Sequence, residues 1–340
     1  MQVEKKRTTN VPIGDEMPYI DEIKARGLIE QLRDRSDSRR RNAAIELGEL
    51  KARDAINPLA KALKDRDWVV RCAAAWALGE IGGDEAAKAL QRVYKPYDKS
   101  KGGLSEEFYV STIVGHSLKK ARGGIGINLD EMDNKKRTFM ESLFNDRFPS
   151  LSGPHPEVIS DRLSKLQKVV NELDTELGDA FIGISLGGGY AKGYAVDESD
   201  LDMGLFVDKM KDRDVVDKIK DRLWNAGIRF DFALGVFDLA SGINSFDIIN
   251  ASIFDSEVLG NPQKIRKAQV KMLENLENYP VRETIWTESR LSRANALITL
   301  SNLSRMGLSP DETEEVKARR LIKFALPSFE EMRRIYLGHR

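Results

Sequence analysis

Two aspartates one residue apart, Asp200 and Asp202, stand at the start of an apolar segment. If this segment is a strand, its side chains alternate between two faces, and both carboxylates share one of them. The other face is apolar and consists of Leu201, Met203, Leu205 and Val207. Two neighbouring carboxylates repel each other unless a cation lies between them. Their hard oxygens suit Mg²⁺, so the pattern predicts a magnesium site.

A run of three glycines, Gly187–Gly189, lies upstream of the aspartates and directly after the apolar run Phe181–Leu186. The apolar run predicts a buried strand that the glycines end. Backbone N–H groups of glycine can approach a phosphate closely, because no Cβ stands in the way. A phosphate site so close in sequence to metal-binding carboxylates predicts phosphoryl or nucleotidyl chemistry.

Three short motifs follow one another here: Gly188-Gly189, Lys192-Gly193 and Ser199-Asp200-Leu201-Asp202. Their order and spacing resemble the signature of the DNA polymerase β-type nucleotidyltransferase superfamily. In that family a glycine pair precedes a short helical turn with a further glycine, and Ser-Asp-x-Asp opens the next strand. Gly189 departs from the signature, because serine is frequent there. The phosphate contact of a hydroxyl would be lost, while the backbone donors remain.

The resemblance implies a metal-dependent nucleotidyltransferase, which moves an NMP from an NTP to an acceptor hydroxyl and releases pyrophosphate. It implies two Mg²⁺ ions, for which Mn²⁺ could substitute, bound by Asp200, Asp202 and a third carboxylate. ATP is the expected nucleotide. The nucleotide-binding residues that it implies are Gly188, Gly189, Lys192, Gly193 and Ser199.

The third carboxylate has two candidates in the next apolar segment, Asp231 and Asp238. In a regular strand Asp238 falls on the face of the phenylalanines, whereas Asp231 falls on the other face. A bulge near Gly235 would change this register. We therefore predict that Asp231 is the third catalytic and metal-binding carboxylate, with Asp238 as the alternative.

The elements that must position these residues form a helix-strand-turn-strand order. An amphipathic helix over 157–177 is expected to pack on the strand 181–186. A helix over 212–226 and a strand over 228–237 follow, and a further strand around 246–249 would precede a turn ending at residues 260–262. The remaining chain is helical in pattern, with helices expected near 265–276, 288–306 and 312–326.

The sequence upstream of residue 123 repeats itself. Residues 40–48 align with residues 71–79, an offset of 31 residues that is typical of a helix pair. Each unit has an outer helix and an inner, alanine-rich helix that ends at glycine, which resembles short HEAT repeats. A third unit is lengthened by a loop over 96–104. Its Leu118 corresponds to Leu47 and Leu78.

Arginines cluster at the turns between these helices. They could form an edge that contacts phosphate or RNA, or a solvated rim interleaved with Asp34, Asp37, Asp65 and Asp67. The sequence leaves both interpretations open. The arginines are Arg33, Arg35, Arg39, Arg40, Arg41, Arg66 and Arg71.

Composition agrees with a soluble chain. Charged residues make up 32% and the formal net charge is zero, so no global field favours nucleic acid. The one cysteine, Cys72, excludes an intramolecular disulfide. No segment has the roughly 20 apolar residues of a membrane span, and we predict a cytoplasmic protein.

We predict an α+β chain: an N-terminal α-solenoid of about three HEAT-like repeats, a small mixed-sheet nucleotidyltransferase core and a C-terminal helical bundle. HEAT stacks often bind proteins along the concave surface, which favours a macromolecular acceptor or a partner-directed enzyme. RNA is a possible acceptor. The alternative is a HEAT adaptor whose transferase domain is inactive. The predicted segments are a flexible lead-in (1–20), repeats (21–123), a connector (124–156), the core (157–262) and the helical part (263–340).

Overall fold

The computed structural model describes residues 17–98, 100, 105–124, 132, 134, 137, 156–192, 199–208, 213–238, 253–254, 258–297, 303 and 307–338. Most of the expected lead-in and connector, the strand expected around 246–249, and Gly193 lie outside these residues. The first helix already begins at Met17, so the last residues assigned to the lead-in are helical.

The N-terminal helices form three pairs, with an offset of 31 residues between α2 and α4 as predicted. Their bounds are α1 Met17–Gln31, α2 Asp37–Glu49, α3 Ile56–Ala62, α4 Trp68–Ile81, α5 Gly83–Val93 and α6 Glu106–Ala121. The inner helices begin at capping side chains: Ser36, Asp67 and Ser105 each accept a hydrogen bond from a backbone N–H of the first turn. Leu47, Leu78 and Leu118 are all buried, as their corresponding positions in the three units require.

The inner helices α2, α4 and α6 pack side by side, and glycines set how closely they approach. A Cβ built on Gly48 would lie 2.8 Å from the Cα of Ala77, and one on Gly79 would lie 2.9 Å from the Cβ of Ser117. Gly48 and Gly79 lie in the last turns of α2 and α4, and they allow this close approach because a larger residue would push the neighbouring helices apart.

We expect Gly48→Ala to lower the free energy of unfolding by about 1–3 kcal/mol, because the added methyl group overpacks the α2–α4 contact. Gly27 is the matched control: it lies within α1, and nothing is within 4 Å of a Cβ built on it. Gly27→Ala should raise stability by up to about 1 kcal/mol through helix propensity. Urea unfolding of the wild type and both variants measures these changes in the free energy of unfolding. Equal stabilisation by both would contradict the close contact.

The sheet has four strands in the order β3-β2-β1-β4. They are β1 Phe181–Leu186, β2 Leu201–Val207, β3 Phe230–Asp238 and β4 Val258–Gly260. β1 is antiparallel to both β2 and β4, and β2 is parallel to β3, so the sheet is mixed as predicted. Residues 258–260, expected in a turn, instead form β4, because their backbone pairs with β1.

Helices cover both faces of the sheet. On one face α7 (Pro156–Leu177) and α9 (Arg213–Asn225) share a core with Leu201, Met203, Leu205 and Val207, which confirms the predicted alternation. The short helix α8 (Gly188–Lys192) follows β1. On the other face Ile182 and Phe206 pack against the C-terminal helices. Those helices are α10 Pro262–Glu277, α11 Arg282–Leu297, α12 Pro310–Phe324 and α13 Phe329–Leu337.

Helix α12 lies against the inner helices α2, α4 and α6 of the repeats. Its Ala318, Leu321 and Ile322 are buried in the same core as the repeat residues. The inner-helix surface, on which we expected a protein partner, is therefore covered by the chain's own C-terminal part. A partner would have to bind elsewhere on the repeats or displace α12.

A buried polar cluster joins α12 to the repeats. Glu315 Oε2 accepts hydrogen bonds from Lys120 Nζ at 3.0 Å and pairs with His116 Nε2 at 3.1 Å, while Lys120 also donates to Glu80 at 2.6 Å. Burial by itself would raise the pKa of Glu315. The hydrogen bond of His116 and the charge and hydrogen bond of Lys120 outweigh it and lower this pKa to about 2.

This shift predicts a pH dependence of stability. Because the folded-state pKa of Glu315 is depressed, its ionised carboxylate stabilises the folded protein fully above the unfolded-state pKa of about 4.3. This stabilisation is lost as the pH falls toward the folded-state pKa of about 2. We expect Glu315→Gln to be less stable than the wild type at neutral pH, with the difference shrinking across this window. Urea midpoints measured from pH 7 to 2.5 check this. A difference independent of pH would contradict the prediction.

Candidate functional site

Strand register brings two of the predicted carboxylates together. β2 and β3 run parallel, and Asp202 pairs with Asp231 in their register, so the two residues are neighbours on adjacent strands. Asp238 pairs with Val207 at the far end of β2. Of the two candidates for the third carboxylate, Asp231 is thus the one beside Asp202.

The pairing of β3 with β2 is irregular just before Gly235, where a bulge was named as the exception to the predicted register. One residue separates the paired positions Asp202 and Gly204 on β2, whereas three separate their partners Asp231 and Gly235 on β3. The backbone of β3 therefore has two more residues than β2 between these paired positions, which is a bulge.

Asp200 differs from its predicted position. β2 begins at Leu201, whose N–H donates to the carbonyl of Arg229 at 3.0 Å, so Asp200 precedes the strand. Asp200 and Asp231 are exposed, and Asp202 is half-buried. Within the described ranges, no group of three or more His, Cys, Asp or Glu side chains is arranged to hold a metal ion. The three carboxylates have the right chemistry for Mg²⁺, but their side chains would have to converge on it.

The glycine turn lies directly against Asp202. The Gly187 N–H donates to the Asp202 carbonyl at 2.7 Å. Gly188 has a φ of +53°, and a Cβ built on it would lie 1.5 Å from Oδ2 of Asp202. Only glycine permits both this backbone conformation and this approach. The glycine turn and the Asp202 carboxylate are therefore neighbours in space.

Of the other predicted nucleotide-binding residues, the structure describes Gly189, Lys192 and Ser199. Gly189 and the backbone of Lys192 belong to α8, the short helical turn that the resemblance implied. Ser199 is half-buried and immediately precedes Asp200.

We expect Gly188→Ala to displace the Asp202 carboxylate and to weaken Mg²⁺-dependent nucleotide binding at least about tenfold, the equivalent of 1.4 kcal/mol. Gly178 is the matched control, because it has the same φ of +53° and nothing within 4 Å of a built Cβ. Gly178→Ala carries the same backbone strain and should bind nucleotide like the wild type. Calorimetric titration with ATP and Mg²⁺ compares them, and equal losses would show that strain alone is responsible.

Arg162 is a residue of the site that the sequence did not indicate. It joins α8 to the segment that leads into the two aspartates. This α7 residue donates from Nη1 to the hydroxyl of Tyr190 and to the carbonyl of Ser199, both at 2.7 Å. Tyr190 is a buried residue of α8, and Ser199 leads into the two aspartates. These partners lie 28 and 37 residues away in sequence, so no local pattern indicated the contact.

Comparison with known proteins identifies one part of the chain. A family model for HEAT repeats matches residues 25–100, which confirms the repeats predicted there. No curated protein matches the chain, and no solved structure does either. None of the described helices is both long and apolar enough to cross a membrane.

Proposed function

We propose that this chain is a metal-dependent nucleotidyltransferase that moves an NMP from an NTP, with ATP expected, to an acceptor hydroxyl. The observation that carries the proposal is the approach of three features to one another: the glycine turn at Gly188, the carboxylate of Asp202 and the register partner Asp231. A turn that offers N–H groups beside paired carboxylates suits a triphosphate with its metal ions.

Each residue has a role in this reaction. The N–H groups of Gly188 and Gly189 would hold the β- and γ-phosphates, with added charge from Lys192, and Gly193 and Ser199 would complete the nucleotide site. Asp200, Asp202 and Asp231 would hold Mg²⁺ or Mn²⁺. When bound, two such ions neutralise the phosphates and lower the pKa of the acceptor hydroxyl.

The bond changes follow from these positions. The acceptor oxygen forms a bond to the α-phosphorus, and the bond from that phosphorus to the bridging oxygen of pyrophosphate breaks. Asp231 takes the proton of the acceptor hydroxyl. Positioning and charge neutralisation supply most of the rate, as in other phosphoryl transfers.

The test is incubation of the purified protein with each α-labelled NTP, Mg²⁺ and a cell lysate or total RNA. The proposal expects label in RNA, in protein or in a small molecule, and no label with Asp200→Ala/Asp202→Ala. Label that is equal for the wild type and this variant would overturn the proposal.

The alternative is a HEAT adaptor whose transferase domain binds nucleotide without turnover. The match to HEAT repeats is compatible with this alternative, and within the described residues no group of three metal ligands is preformed. The closeness of the glycine turn to Asp202 favours the enzyme. Nucleotide binding without labelled product from any lysate fraction would support the adaptor.

A further inference from the structure

The arginines at the repeat turns divide into two groups in the structure. Arg40 donates from Nε and Nη2 to the two carboxylate oxygens of Asp65, each at 2.8 Å, and is buried. Arg71 donates to the carbonyl oxygens of Asp65 and Arg66 at 2.9 and 3.2 Å. Arg40 therefore ties the first turn to the second, and Arg71 holds the second turn together.

The second group is exposed and, together with the half-buried Arg334 of α13, lines a shallow cavity of about 620 Å³ where the first repeat turn meets α13. Four arginines and two acidic residues line it, so its formal charge is four minus two, or +2. These residues are Arg33, Arg35, Arg39, Arg334, Asp34 and Glu331.

Both acidic residues are already bound within the protein. Asp34 accepts from the Ser36 N–H at 2.8 Å and from Arg39 at 3.3 Å. Glu331 accepts from the Ser36 hydroxyl at 2.6 Å and pairs with Arg334 at 3.1 Å.

The two remaining arginines have no such partner. Within the described part of the chain, the guanidinium groups of Arg33 and Arg35 make no ion pair or hydrogen bond. Two guanidinium groups at one concavity repel each other, and a phosphate that both could contact would relieve this repulsion.

The exposed cations continue along the stack. Arg35 and Arg66 occupy the same position of successive repeats, 31 residues apart, and Arg66 Nη2 donates to the Arg35 carbonyl at 3.2 Å, so the two turns are adjacent. The exposed Lys95 lies in the third unit, between α5 and α6. We call Arg33, Arg35, Arg66 and Lys95 the basic edge.

We propose that the basic edge binds the phosphates of a single-stranded RNA. A row of cations that recurs from one repeat to the next fits a polymer with a charge on every unit, and arginine is the side chain best suited to phosphate. If the chain is the proposed transferase, RNA bound at the basic edge carries the acceptor hydroxyl, so this part of the proposal rests on the proposed function.

The test is the binding of a fluorescein-labelled single-stranded RNA of about 12 nucleotides, measured by anisotropy over a range of KCl concentrations. For Arg33→Gln/Arg35→Gln we expect about tenfold weaker binding and a slope of log K against log salt that is about 1.4 smaller, because two phosphate contacts are lost.

Arg26→Gln/Arg53→Gln is the matched control. It removes the same charge from two exposed positions that lie together beside the α2–α3 connection, at the opposite end of α2 from Arg35, and should bind RNA like the wild type. Equal loss of affinity in both double variants would overturn the proposal, as would an acidic peptide that binds as tightly as the RNA.

Transfer of labelled NMP is measured on the same wild-type preparation, so the two proposals can fail separately. RNA binding that depends on Arg33 and Arg35, without transfer, supports the basic edge and counts against the enzyme. Transfer to a protein or small molecule, without RNA binding, supports the enzyme and overturns the basic edge.

Discussion

Asp202→Asn is expected to lower nucleotidyl transfer about a thousandfold while leaving the fold intact. The exchange removes a charge that would bind the metal ions, and such ions contribute several kcal/mol of charge stabilisation. Each 1.4 kcal/mol corresponds to a factor of ten in rate. Asparagine has the same shape, and Asp202 is only half-buried, so the melting temperature should change little. The initial rate of pyrophosphate release, with circular dichroism of the same sample, measures both effects.

Asp208→Asn is the matched control for this variant. It makes the same chemical change directly after the other end of β2, also at a half-buried position. We expect it to keep the wild-type rate, because it lies far along the strand from the glycine turn. A rate close to that of the wild type in Asp202→Asn would exclude Asp202 as a catalytic carboxylate.

Arg290→Met is expected to cost about 3–5 kcal/mol of stability, the largest effect that we predict for a change outside the candidate site. Arg290 Nη1 donates to Asp67 at 2.9 Å, and each side chain is only 7% exposed. The variant leaves the buried Asp67 carboxylate without its counter-charge. It also removes the hydrogen bond from Nε to the Leu326 carbonyl at 2.9 Å. Chemical unfolding gives the difference in free energy.

The environment of Asp67 supports this expectation. Burial would raise its pKa, but the charge and hydrogen bond of Arg290 and the N–H groups of Val69 and Val70 outweigh burial and lower it. Asp67 also caps α4, so the same carboxylate stabilises a repeat helix and binds the C-terminal part.

An exposed ion pair provides the control for Arg290→Met. Arg222 contacts Glu176 at 2.6 Å, and their side chains are 50% and 40% exposed. Arg222→Met should change stability by about 1 kcal/mol or less, since solvent screens such pairs. The double variant Asp67→Asn/Arg290→Met should recover part of the loss. Similar losses for Arg290→Met and Arg222→Met would show that the α11–repeat contact does not form in solution.

Local patterns in the sequence determined much of this fold. The 31-residue offset identified the helix pairs, because inner helices that pack closely need small residues at equivalent positions. The alternation of Leu201, Met203 and Leu205 identified the buried face of β2, because a strand has a period of two residues. The glycine turn and Asp202 were predicted to be close, and they are, since one short segment separates them in the chain.

Contacts between residues far apart in the chain were decided only by the tertiary structure. Pairing of Asp202 with Asp231 depends on the register of two strands with a helix between them, and the position of Arg162 depends on how α7 lies on the sheet. The contact of α11 with the repeats was not predictable, because Asp67 and Arg290 are 223 residues apart and no periodic pattern links them. Periodicity reports which face of an element is buried, whereas the identity of the neighbour that buries it depends on packing.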